Sequence, residues 1–212
     1  MGVERRPGPI GGVLFDFDGT LTWPGPLDFN KIRLEINCPQ QTPILEYLET
    51  LPEPDRSSGV KILERHEALA AADSFPNRGS VELLATLGEH GVPVSLVTRN
   101  SRISVDRALV NFPDRTADCF RVIISRDDPL PPKPDPASVI ESAVIMGVSL
   151  RDLLVVGDYI FDMQAGQSAG ALTALVTNGN PAHDCGFQPD LVVTDLLELR
   201  DHLLDRTTSI FI

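Results

Sequence analysis

Cysteine is scarce in this chain of 212 residues, and a long apolar run and an excess of positive charge are both missing. The three cysteines, Cys38, Cys119 and Cys185, lie far apart and include no Cys-x-x-Cys pair. That spacing excludes a disulfide framework and fits a reducing, cytoplasmic setting, so each thiol reads as a small buried hydrophobe rather than a zinc ligand or nucleophile. No stretch approaches the ~20 apolar residues of a membrane span. The first twelve residues lack the apolar block of a signal peptide, and Arg6 stands where myristoylation wants Ser or Thr; they read as a short loose arm. Eighteen Lys and Arg against 30 Asp and Glu leave a net charge of -12, which argues against nucleic acid or an anionic membrane as the partner. An anionic ligand would have to rely on a local positive site.

Ordinary hydrophobic (42%) and charged (23%) contents are compatible with one sizeable core, and the length suits one large domain or a domain with a modest insertion. Val13, Leu14, Phe15 and Phe17 read as a short buried strand that Gly19-Thr20 ends in a turn. Period-2 geometry puts Asp16 and Asp18 on one side of that extended chain. Two such carboxylates repel, so the pair calls for a cation between them or a proton on one of them. Asp-x-Asp-Gly also occurs in plain turns.

Beyond this strand the chain divides in two. Thr22 to Asp28, with two prolines, continues neither strand nor helix. Phe29, Ile32 and Ile36 then recur at helical spacing, as do Ile44, Leu45, Leu48 and Leu51. A third helix is expected over 55–73, with Ile62, His66 and Leu69 on one side and Leu63 and Ala70 beside them. Residues 23–75 therefore form a helical segment without a strand. From Phe75 on, strands alternate with helices: Ser80 is positioned to cap a helix ending at Gly91, Val92–Thr98 is a strand, and Ser101 opens the next helix. Further strands are expected at Phe120–Ser125, Leu153–Gly157, Ala171–Val176 and Leu191–Val193. Helices are expected up to Gly147, over Ile160–Ala169, and along Leu196, Leu199 and Leu203. This alternation predicts an α/β fold, a Rossmann-like open parallel sheet covered by helices on both faces.

In such sheets ligands bind outside the carboxyl ends of the strands. The polar residues there are Asp16 and Asp18, then Thr98, Arg99 and Asn100, then Lys133 within Pro-Pro-Lys-Pro-Asp-Pro, and Asp158 followed by Asp162. Each has a plain alternative: a turn hydroxyl, a solvated lysine, acids at the positive end of a helix. Together they bring carboxylates, a hydroxyl and one lysine to a single rim. His90, His183 and His202 have no ligand spacing.

Asp16-Phe17-Asp18-Gly19-Thr20-Leu21, Val97-Thr98, Lys133-Pro134, and Gly157-Asp158 with Asp162 resemble, in order, the four motifs of the haloacid dehalogenase-like hydrolases. The nearest group is the phosphoglycolate phosphatase-like one with a small helical cap. The resemblance implies a core of residues 1–22 and 76–212 and a cap of residues 23–75. It implies Asp16 as nucleophile, Asp18 as acid/base, Thr98 and Lys133 as phosphate contacts, and Gly19, Thr20, Arg99 and Asn100 at the substrate. Mg²⁺ would be held by Asp16, Asp18, Asp158 and Asp162. The implied activity is hydrolysis of a small phosphorylated metabolite through an aspartyl-phosphate. A phosphomutase, or a relative that binds phospho-ligands without catalysis, would carry similar motifs. Thr22-Trp23-Pro24-Gly25-Pro26 departs from the Asp-Ser-like pair that relatives usually carry there, which bears on substrate choice. Lys31, Arg33, Lys61, Arg65 and His66 are the cap's candidates for a substrate's second polar end.

Overall fold

The computed structural model describes residues 10–113, 116–181 and 188–205. Residues 1–9 of the arm expected over 1–12, Cys185 and His183 lie outside the described residues, but the end of that arm is not loose, since Ile10 is buried in the core and Gly12 begins the first strand.

Six parallel strands make one sheet: β1 (Gly12–Phe15), β2 (Val94–Val97), β3 (Phe120–Ile124), β4 (Leu153–Gly157), β5 (Leu172–Val176) and β6 (Leu191–Val193). Their order is β3-β2-β1-β4-β5-β6. The chain builds outward from β1 to β3, then crosses back to lay β4 on the other side of β1. The direction of winding reverses between β1 and β4, where open α/β sheets place their ligands. In this register Phe15 faces Val156 and Leu96, so Asp16 emerges beside Gly157.

Alternation along the strands splits the core between the two faces. Val13 and Phe15 of β1 and Leu154 and Val156 of β4 join one cluster with Leu83, Val105 and Leu199. Leu14, Leu153 and Val155 point the other way, to Val139 and Ala165. The first face is covered by α4 (Ser80–Glu89), α5 (Arg102–Leu109) and α8 (Leu196–Asp205), and the second by α6 (Ala137–Met146) and α7 (Ile160–Ala169). Phe15, with no exposed surface, is the largest side chain in β1; truncating such a residue costs about 3–5 kcal/mol.

The helical segment comprises α1 (Phe29–Ile36), α2 (Ile44–Thr50) and α3 (Asp55–Ala72), and it has a small core of its own around Ile32, Ile36, Leu48 and Leu63. Asp28 caps α1 through the Lys31 N–H, and Asn37 ends it in the left-handed conformation. Thr22 and Pro76 form an antiparallel bridge where the segment leaves and returns, and the Trp23 and Phe75 rings stack beside it, centroids 5.9 Å apart.

Several details differ from expectation. β1 stops at Phe15, because Asp16 begins a tight turn. Ser80 lies inside α4, whose N-cap is Gly79; its hydroxyl instead donates to the carbonyls of Leu21 and Asn77. Phe29 is exposed at the start of α1, which buries Ile32 and Ile36, and Leu69 is exposed because α3 buries the stripe Gly59, Leu63, His66, Glu67 and Ala71. Cys38 is buried as expected of a small hydrophobe, whereas Cys119 is exposed in a short 3-10 turn outside the core. No helix among the described residues is long and apolar enough to cross a membrane.

Candidate active site

The turn after β1 carries Asp16 and Asp18 to the rim. Asp18 is still extended, and Gly19 then takes φ 72°, a left-handed conformation that glycine adopts without strain. Space makes the same demand: a Cβ on Gly19 would sit 2.1 Å from Asp158 Oδ2. Two amides hold the turn. Asn178 Nδ2 donates to the Gly19 carbonyl at 2.7 Å, and Asn77 Nδ2 donates to the carbonyls of Gly19 (3.2 Å) and Thr20 (3.0 Å). Thr20 itself is fully buried, its hydroxyl without a partner among the described residues. Gly157, at the end of β4, is needed for a similar reason, since a Cβ there would strike Asp162.

Lys133 ties the turn after β1, the end of β2 and the first turn of α7 together. Buried to 2% exposure, its Nζ donates to Asp16 Oδ1 at 2.5 Å, Asp162 Oδ1 at 2.6 Å and the Val97 carbonyl at 2.7 Å. All three ammonium protons are thereby used. Burial alone would depress this lysine, but Asp16 and Asp162 outweigh it and hold the ammonium above its usual range.

Asp18 sits on the other side. Asn100 Nδ2 donates to its Oδ2 at 2.6 Å, and no cation among the described residues pairs with it. Burial first, then the charge of Asp16, and further off that of Glu67, push its carboxyl up to about 7. Asp158 is raised well above the carboxylate range by burial and by Asp16, Asp162 and Asp18. Burial also lifts Asp162, to about 6, although Lys133 pulls the other way. Thr98 accepts the Asn100 N–H at 3.1 Å, which leaves its own proton to donate. Arg99 donates to the Lys133 carbonyl and to Glu46, the latter at 2.6 Å, and lies 4.9 Å above the Phe161 ring.

Asp16, Asp158 and Asp162 have carboxylate oxygens within 4.8 Å of one another. The Asp18 carboxylate is turned to Asn100 and is not one of this trio. Four carboxylates against a single ammonium leave the rim short of positive charge, as the raised proton affinities of Asp18, Asp158 and Asp162 register. A hard divalent ion that takes oxygen ligands fits this donor set.

Sequence reasoning overlooked three participants. Glu67 of α3 is 2% exposed and receives both Nη groups of Arg126 and the Ser101 hydroxyl. Its signal was its place four residues from both Leu63 and Ala71 on the inward stripe. Asn178 follows the carboxyl end of β5, where the rim rule applied to one more strand would have found it. Asn77 has no comparable signal. Conversely, the helical segment's cations are not gathered at the rim. Arg33 bonds the Pro39 and Thr42 carbonyls, Arg65 and His66 both contact Glu35, and Lys31 and Lys61 are exposed.

Comparison with known proteins is consistent across sequence and structure. A family model for haloacid dehalogenase-like hydrolases matches residues 22–176, beginning just after the turn that carries Asp16 and Asp18. A Saccharomyces cerevisiae protein named as an uncharacterized hydrolase is 32% identical over 196 residues, covering 90% of this chain and 89% of its own. Phosphoglycolate phosphatase of Pectobacterium atrosepticum is 35% identical over 126 residues, 57% of this chain and 53% of that protein. Among solved structures, a hydrolase from Pseudomonas syringae superposes with a TM-score of 0.78 at 21% identity, covering 92% of this chain and 99% of that one.

Proposed function

This chain belongs to the haloacid dehalogenase-like hydrolases, and on that footing we propose that it is a Mg²⁺-dependent phosphatase of small phosphorylated metabolites, working through an aspartyl-phosphate at Asp16. Residues 1–22 and 76–212 are its catalytic core and residues 23–75 its cap. One observation carries the reading: on a single rim, Lys133 holds Asp16 in place at 2.5 Å while Asp18, two residues on, is pushed up to about 7. One carboxylate is thus oriented by a buried ammonium for attack, and the other is half-protonated near neutrality, a division set by environment.

Asp16 Oδ attacks phosphorus, the bond from phosphorus to the ester oxygen breaks, and Asp18 delivers its proton to that departing oxygen. A water then attacks the aspartyl-phosphate and gives its proton to Asp18, and the bond between phosphorus and Asp16 breaks. The Thr98 hydroxyl donates to a phosphoryl oxygen, while Lys133 keeps Asp16 oriented and offsets the charge of Asp162. Asp16, Asp158 and Asp162 would hold Mg²⁺, with Asp18 at the edge of that set. When bound, the ion supplies positive charge to phosphoryl oxygens and to the crowded carboxylates.

The test is turnover of p-nitrophenyl phosphate with Mg²⁺. EDTA is expected to abolish it, and Asp16→Asn to lower kcat by about 10⁴ or more with the fold unchanged by circular dichroism. Turnover that survives either treatment refutes the mechanism.

A further inference from the structure

Between the helical segment and the rim lies a chamber of about 230 Å³. Leu45, Leu48, Val60 and Leu63 form its apolar wall above, and Ile124 and Leu130 face them from below. Thr98 and Lys133 belong to its lining, and Lys133 Nζ is 2.5 Å from Asp16, so the chamber adjoins the reacting centre.

The cations of the lining are already committed. Lys133 is held by Asp16 and Asp162. Arg126 grips Glu67 with both Nη groups. Arg56 turns back to the α2 carbonyls, Nη2 donating to Glu49 at 2.8 Å and Nε to Leu51 at 3.2 Å. Just beyond the lining, Arg99 is paired with Glu46. The fork of an arginine is what normally recognises a substrate carboxylate, and here Glu67 fills that of Arg126 while Glu46 and the Lys133 carbonyl share that of Arg99. Glu49 adds a negative charge to the lining.

Among the described residues, a substrate carboxylate entering this space would lose its hydration and find only Arg56 not paired with a carboxylate, its guanidinium already bonded to two carbonyls and with Glu49 beside it, whereas a hydrocarbon or aromatic group would gain from burial. We infer that the chamber receives the leaving group of the phosphate ester, and that this group is uncharged and mainly hydrocarbon or aromatic. The inference rests on the phosphatase reading for the word ester, but not for the binding preference.

Two inert phosphonates separate the possibilities: benzylphosphonate and phosphonoacetate, which place a ring or a carboxylate one carbon from phosphorus. Calorimetry on the full chain with Mg²⁺ is expected to show benzylphosphonate binding at least tenfold more tightly. Leu45→Lys, or Val60→Lys should the first not fold, places a cation in the wall and is expected to cut that preference at least fivefold. Equal or tighter binding of phosphonoacetate by the unaltered protein, or binding of neither, overturns the inference. Phenyl phosphate turnover is followed in parallel. A benzyl preference without turnover supports the chamber assignment and removes the phosphatase reading; turnover without the preference does the opposite.

Discussion

On the β4 side of the rim, Asp16 and Asp162 share the buried ammonium of Lys133. On the β2 side, one residue beyond Phe17, Asp18 meets only the neutral amide of Asn100 and feels Glu67 behind it. The two sides use the same residue type on one short turn, but one aspartate is paired with a buried cation while the other is pushed up to about 7. Two unit charges 4 Å apart interact by about 4 kcal/mol even at an effective dielectric of 20, so the presence or absence of one cation suffices to divide their roles.

The contrast can be broken most severely from its cationic side. Lys133→Met leaves Asp16 and Asp162 buried without a counter-charge and is expected to cost about 3–5 kcal/mol in urea unfolding at neutral pH. The loss should shrink in acid, where those carboxyls protonate, and on adding Mg²⁺. Erasing the other side has the opposite sign. Asp18 has a folded value of about 7 against an ordinary 3.8, so its contribution to stability is complete below about 4 and is lost as pH rises through 7. Metal-free Asp18→Asn is therefore expected to match the parent at pH 4 and exceed it at pH 8 by up to about 4 kcal/mol, read from paired unfolding curves. A gap that fails to grow with pH contradicts the assignment. The smallest effect sharpens the contrast. Glu67→Gln removes a distant negative charge from Asp18, so the limb of the pH–rate profile governed by this acid should move down by about a few tenths of a unit, burial and Asp16 being the larger causes. An unmoved limb would assign Glu67 to clamping Arg126 alone.

Much of the architecture was legible because its periodicities are local. β4, α7 and β6 begin and end as alternation, glycines and helical stripes predict, and the rim rule gathers Asp16, Asp18, Thr98, Lys133 and Asp158 from sequence alone. What escaped depends on distant partners. Glu67 looks like any helix-surface acid until Arg126 and Ser101 are folded against it. Ser80 has the chemistry of a helix cap, but its hydroxyl is claimed by the Leu21 carbonyl across the fold. Cys119 has the composition of a core residue, yet a short turn leaves it outside. For Gly19 the fold adds a reason that concerns Asp158, whose carboxylate fills the space a side chain there would need.

The neck formed by Thr22 and Pro76 has a consequence for how such a protein changes over time. Its two strands of backbone cross within a single hydrogen-bonded step, Trp23 N–H to the Phe75 carbonyl at 2.9 Å. A loop pinched shut at its base transmits little of its length to whatever it grows from. The connections between α1, α2 and α3 can therefore change in length while the sheet keeps its registry, whereas α3 itself is tied down through Glu67 to Arg126 and Ser101.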